Sequence, residues 1–198
     1  MLYPEAKRQS GFTIIEILVT ITLLGLIATF MFTFFITTID QYFALQQNST
    51  SFNDLAQHYQ RLANVLRCIT GINSAAANDL NIYAYFYPND AYVSLVHYYI
   101  SGGQLLADVT PMTANPPNGT LITASKKTYT IITQFVSLPG IDTFVYFDAG
   151  NSVISSPVAS TNTIKAIKIN LAVPSLAPTS TNQSLTLQVS LRNRKTNL

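Results

Sequence analysis

The sequence predicts an α+β protein, with a long N-terminal helix packed on a C-terminal antiparallel β-sheet and the first half of that helix transmembrane. Three observations carry this. Residues 11–39, GFTIIEILVTITLLGLIATFMFTFFITTI, are almost continuously apolar; at about 1.5 Å rise per residue they can cross a hydrocarbon core of about 30 Å. Residues 40–70 then place apolar side chains at alternating spacings of three and four, one stripe on a helix. From residue 71 the apolar period falls to two, in short runs divided by Gly, Pro, Asn and Asp. The chain accordingly divides into a leader (1–11), a membrane helix (12–39), an amphipathic second half of the helix (40–70) and an extracytoplasmic β domain (71–198).

The leader, MLYPEAKRQSG, carries Lys7 and Arg8, and Tyr3-Pro4 argues against helix there. The apolar run after it holds one charge, Glu16. An acidic side chain at the centre of a membrane helix costs upwards of roughly 2.5 kcal/mol, so a chain that keeps one calls for a cationic partner. Lys7 and Arg8 precede the run and Asp40 follows it. Positive charge stays on the cytoplasmic side, so the leader faces in and residues 40–198 face out.

The join reads Lys7-Arg8-Gln9-Ser10-Gly11-Phe12-Thr13-Ile14-Ile15-Glu16. It resembles the class III signal of type IV pilins and pseudopilins: a short basic leader, Gly at the cut, Phe next, and Glu five residues into the mature chain. The resemblance implies the pilin fold, removal of the leader by a membrane prepilin peptidase that cuts between Gly11 and Phe12, and N-methylation of Phe12. It also implies that Glu16 pairs with the new amine of a neighbouring subunit as subunits stack into a filament. The competing reading of the same residues is an ordinary signal-anchor helix with a stray Glu. The mid-segment proline frequent in major pilins is missing; that neighbourhood reads Phe32-Thr33-Phe34.

No proline occurs between Pro4 and Pro88, so nothing forces the helix to stop at the membrane. Gly25 and the threonines at 20, 22, 33, 37 and 38 allow close helix approach and bonds to neighbouring carbonyls. Beyond Asp40 the stripe is Phe52, Leu55, Tyr59, Leu62, Leu66 and Ile69, with Asn53, Asp54, Gln57, Gln60, Arg61 and Asn64 opposite. Asn48-Ser49-Thr50-Ser51 is a poor helical run, and a small break is expected over residues 46–51. Thr70-Gly71 supplies the stop.

The strand readings follow in order: 81–87, ending at Pro88-Asn89-Asp90; 92–100 and 104–109, a hairpin about Gly102-Gly103; then a loop over 110–119. Next come 129–136, the hairpin pair 143–147 and 152–154 about Asp148-Ala149-Gly150-Asn151, 163–173 with a bulge at Ala166-Ile167, and 184–191. In the last strand Leu185, Leu187, Val189 and Leu191 share one face. The succession FVYFDAGNSVI, IKAIKINLAV, SLTLQVSLRNR resembles the end of W-like minor pilins and J-like minor pseudopilins.

Composition narrows the function. The chain has 198 residues, 48% hydrophobic and 10% charged, with formal net charge +2, which gives no broad electrostatic case for nucleic acid. One cysteine, Cys68, excludes an internal disulfide and reads as a small apolar residue on the helix. His97 reads as a hydrogen-bonded strand residue and His58 as a helix boundary residue. With two histidines and one cysteine, no metal site is expected; calcium at Asp142 and Asp148 is the weaker reading. Past the leader Glu16 is the one glutamate, and no nucleophile elbow, phosphate loop or HExxH is present. No catalytic residue and no cofactor are expected. The tyrosines at 83, 85, 87, 92, 98 and 99 read first as sheet packing and second as a binding face. The expected protein is a structural minor pilin or pseudopilin subunit, its partners prepilin peptidase, sibling subunits and the membrane. The alternatives are a minor pseudopilin of type II secretion and a DNA-uptake or adhesive minor pilin.

Overall fold

In a computed structural model the chain is described over residues 11–175 and 182–191. It divides into two compact units, residues 1–46 and 47–198. A single helix, α1 (Ile14–Arg67), enters both. In the first unit no large apolar side chain of α1 is buried. An 18-residue window of the helix has mean hydropathy 2.4, so by length and composition it can cross a membrane.

The break expected over residues 46–51 does not occur; helical bonding is continuous there. Asn, Ser and Thr each cost only about 0.7 kcal/mol or less relative to Ala in a helix. In the second unit Asn48 is held from outside the helix: its carbonyl accepts the Gln183 side-chain amide at 3.2 Å, and its Oδ1 accepts the Ser175 hydroxyl at 3.4 Å.

The helix also stops sooner than Thr70-Gly71 suggests. Cys68 N–H donates to Val65 O at 3.1 Å and turns the chain. Strand β1 (Ile69–Ala75) follows at once, with Gly71 inside it. Ile69, counted on the helical stripe, is therefore a fully buried strand residue, and Cys68 is an exposed turn residue rather than a buried helical one. Within the stripe Leu55, Leu62 and Leu66 are buried, joined by Ala63 and Val65, while Phe52 is exposed.

The remaining strands are β2 (Asp79–Ala84), β3 (Ser94–Ser101), β4 (Gln104–Pro111), β5 (Lys127–Ile132), β6 (Phe144–Phe147), β7 (Val153–Ile154), β8 (Ala166–Val173) and β9 (Gln183–Ser190). They form two sheets where the sequence suggested one. β1 to β5 lie in chain order in a five-stranded antiparallel sheet, and β7-β6-β8-β9 make a four-stranded one. The β3–β4 hairpin turns on Gly102 and Gly103, with φ of 57° and 70°, a conformation open to residues without a Cβ.

The β1–β2 turn ties the two sheets together. Ala77 O accepts Phe144 N–H at 2.9 Å, Ala76 O accepts the Tyr146 hydroxyl at 2.7 Å, and Asn78 Oδ1 accepts the Thr143 hydroxyl at 2.7 Å. The bulge expected at Ala166-Ile167 is absent, since β8 keeps unbroken register with both β6 and β9. The phase shift has another origin: Ile164 is buried from a short 3₁₀ turn (Thr161–Thr163) that ends before the strand starts.

The core forms where Leu55, Leu62 and Leu66 of α1 meet Ile82, Val96 and Ala107 of the larger sheet and Ile167, Ile169 and Leu171 of the smaller one. Leu66 is 0% exposed. Leu66→Ala removes three buried carbons and leaves a cavity that rigid strands cannot close, at a cost of about 3 kcal/mol. A lowered thermal unfolding midpoint of the detergent-solubilised chain, with unchanged helix content below the transition, is the expected measurement.

Candidate functional site

The residues singled out from sequence lie at the start of α1, and local hydrogen bonding fixes where that start falls. Thr13 is the residue before the helix and Glu16 the third within it. Glu16 N–H donates to Thr13 Oγ1 at 3.3 Å, and Glu16 Oε2 accepts Thr13 N–H at 3.2 Å. This reciprocal pair is a capping box, which satisfies two of the donors that every helix N-terminus leaves open. The Thr13 hydroxyl also lies 3.3 Å from Glu16 Oε2, and a carboxylate in the first turn opposes the positive end of the helix dipole. Glu16 thus has a local role that its charge alone does not reveal. The spacing Thr-x-x-Glu before an apolar run could have disclosed it from sequence.

Gly11 and Phe12 precede the cap, and both are exposed. A Cβ added at Gly11 would meet nothing within 4 Å. Lys7 and Arg8 lie outside the described residues.

Further along, each membrane threonine returns its hydroxyl to its own helix. Thr29, Thr33 and Thr37 donate to the carbonyls of Gly25, Thr29 and Thr33 at 2.8, 2.9 and 2.8 Å. Thr38 donates to Phe34 O at 2.7 Å, and Thr20 to Glu16 O. These hydroxyls are therefore already paired within the helix. Gly25, Thr29, Thr33 and Thr37, four residues apart, share one side of the helix and give it a narrow flank against which a second helix can approach closely.

The β domain holds a second polar cluster on the outward face of the larger sheet. His97 Nε2 lies 2.6 Å from Asp79 Oδ2, and the His97 ring stacks on Tyr99 at 4.9 Å between centroids. Asp108, 8% exposed, accepts the Thr128 hydroxyl at 2.6 Å and the Tyr99 hydroxyl at 3.4 Å, and pairs with Lys126 Nζ at 2.7 Å. Burial alone would raise the Asp108 carboxyl, but the Lys126 hydrogen bond, Thr128 and the Lys126 charge together hold it below its ordinary value. Asp108 in turn raises the Lys126 ammonium.

A carboxylate depressed in the folded state adds stability above its unfolded pKa and loses it as pH falls through the folded one. Lys126, raised on folding, adds stability below its unfolded pKa and loses it as pH rises through the folded one. Asp108→Asn is expected to cost roughly 1 kcal/mol at neutral pH and to flatten the acid limb of stability against pH. Urea midpoints measured down to the acid side of the carboxylate range check this.

His58 and Cys68 are exposed. Asp148 Oδ1 accepts Ser152 N–H at 2.8 Å, a turn contact. Asp142 and Asp148 are not brought together with a third ligand: among the described residues no group of three His, Cys, Asp or Glu side chains could hold a metal.

Residues 6–32 match the family model described as the prokaryotic N-terminal methylation motif. The matched segment holds Gly11, Phe12 and Glu16. No curated protein matches it. Among solved structures, a chain of the GspK–GspI–GspJ complex from the type 2 secretion system of enterotoxigenic Escherichia coli is similar at 14% identity. The match covers 72% of this chain and 97% of that one, with TM-score 0.48.

Proposed function

We propose that this protein is a non-enzymatic, structural minor subunit of a type IV pilus-like filament. Prepilin peptidase cuts it between Gly11 and Phe12, Phe12 is N-methylated, and the mature chain assembles through its N-terminal helix. The observation that carries the reading is the methylation motif over residues 6–32, set on a helix whose first unit buries no large apolar side chain of its own. A helix so apolar needs either lipid or neighbouring helices around it, and a filament core built of such helices provides the second after the membrane provides the first.

In this reading residues 1–11 stay cytoplasmic, 12–39 hold the membrane and then the filament core, and the rest lies outside the cytoplasm. Glu16 meets the amine of an adjoining Phe12, and the sibling subunits are its partners. The end pattern in the sequence from residue 144 to 194 favours a minor subunit of the W-like or J-like kind.

The test is mass spectrometry of sheared filaments. The expected species begins at Phe12 and is one methyl group heavier than the bare chain; a chain that keeps its leader sinks the proposal. Deleting the gene separates the machines. Loss of surface fibres places the subunit in a pilus, whereas exoproteins held back in the cell place it in a type II secretion system.

A further inference from the structure

The core-facing side of the larger sheet does not end where α1 covers it. Arg61 of the helix lies over the rings of Phe86 and Tyr87, 4.8 and 5.3 Å from their centroids, and closes the covered part. Beyond it the same face opens into a cleft of about 560 Å³, within the range of small-molecule sites. Its sheet positions are fixed by register: Ser94 stands opposite Pro111, Val109 opposite Lys127, and Ala107 opposite Tyr129.

We propose that this cleft binds a neutral saccharide. Three tyrosines line it. Tyr129 is anchored against Phe86 with ring centroids 5.1 Å apart, while Tyr87 and Tyr92 keep 42% and 47% of their surface exposed. The exposed parts of Tyr87 and Tyr92 offer aromatic surface to the apolar C–H face of a pyranose, and tyrosine hydroxyls suit its rim.

Ser94, 4% exposed, also lines the cleft. Its hydroxyl can both donate and accept, which suits a ligand that brings its own donors and acceptors. The charges decide the ligand class. Lys127 and Asp90 both line the cleft, so the site is close to neutral. Asp90 also accepts Tyr87 N–H at 2.9 Å, which fixes a carboxylate at the rim. A phosphate or nucleic-acid strand would meet that carboxylate with a single lysine to offset it, whereas a polyol can use both groups. The cleft lies wholly within residues 87–129, so this inference stands or falls apart from filament assembly.

The experiment uses the full chain in lipid nanodiscs and saturation-transfer NMR. The probes are the methyl glycosides of glucose, galactose, mannose and N-acetylglucosamine, with inorganic phosphate as the charged comparison read by ³¹P line broadening. Saturation transfer to at least one glycoside is expected, weakened roughly tenfold by Tyr92→Ala and also by Ser94→Ala, with circular dichroism unchanged. Tyr92 makes no ring contact that the fold uses, so its loss leaves the domain folded. No transfer to any glycoside, transfer undiminished in the Tyr92→Ala chain, or broadening of phosphate alone would each overturn the proposal.

Discussion

A Gly11→Leu chain accumulates in the membrane at full precursor length, with no mature band and no filament. The expectation is sharp because the substitution leaves the folded chain alone: a Cβ at residue 11 meets open space, and the first helical residue comes only at Ile14. Expression, insertion and the β domain should therefore match the parent chain. What changes is the fit of the scissile bond to the peptidase, where a glycine lets the enzyme's backbone approach closely and a branched side chain does not. Gly11→Ala, with one added carbon, should be cut slowly rather than not at all. Gel mobility and the mass of the membrane-extracted chain read the result. A mature-length species from Gly11→Leu would mean that the cut lies elsewhere, and the proposed role of Phe12 as the methylated terminus would fall with it.

The two ends of this molecule were legible to different depths. The apolar run needs no tertiary information, because its length and the absence of proline decide it, and the helix from Ile14 is its direct consequence. The capping box was written in Thr13 and Glu16 but is easily passed over, because a charge in an apolar run draws attention to the bilayer and away from the backbone donors beside it. Strand β1 was hidden for a different reason. Its burial follows no alternation, and two register irregularities against β2 break its period, so the sequence counts Ile69 on the helical stripe and reads no strand before residue 81. The split into two sheets could not be read at all. The sheets meet through contacts remote in sequence, Asn78 with Thr143 across 65 positions and Tyr146 with Ala76 across 70. The tyrosine cleft is similar: Tyr87, Tyr92 and Tyr129 come from three segments, and only strand register brings Lys127 beside Val109. Local periodicity thus specified the elements, while residues far apart in sequence specified the surfaces between them.

Glu16 carries two roles that one substitution can separate. Glu16→Ala removes both the charge and the side-chain half of the capping box, exposing Thr13 N–H, at about 1 kcal/mol of helix stability. Glu16→Gln keeps an acceptor oxygen for Thr13 N–H, since Gln serves the same box, and removes only the charge. If pairing with a neighbour's amine drives assembly, both variants are processed normally and both lose filaments, because a charge attraction in a low-dielectric core far outweighs the cap. Electron microscopy of sheared material and immunoblots of the membrane fraction measure this, with amide exchange at residues 13–16 reporting the cap. Filaments at the parental level from Glu16→Gln, together with failure of Glu16→Ala, would assign the residue to the helix start instead. The carboxylate would then be tolerated in lipid because the backbone next to it needs an acceptor, and no neighbouring subunit would be required to answer it.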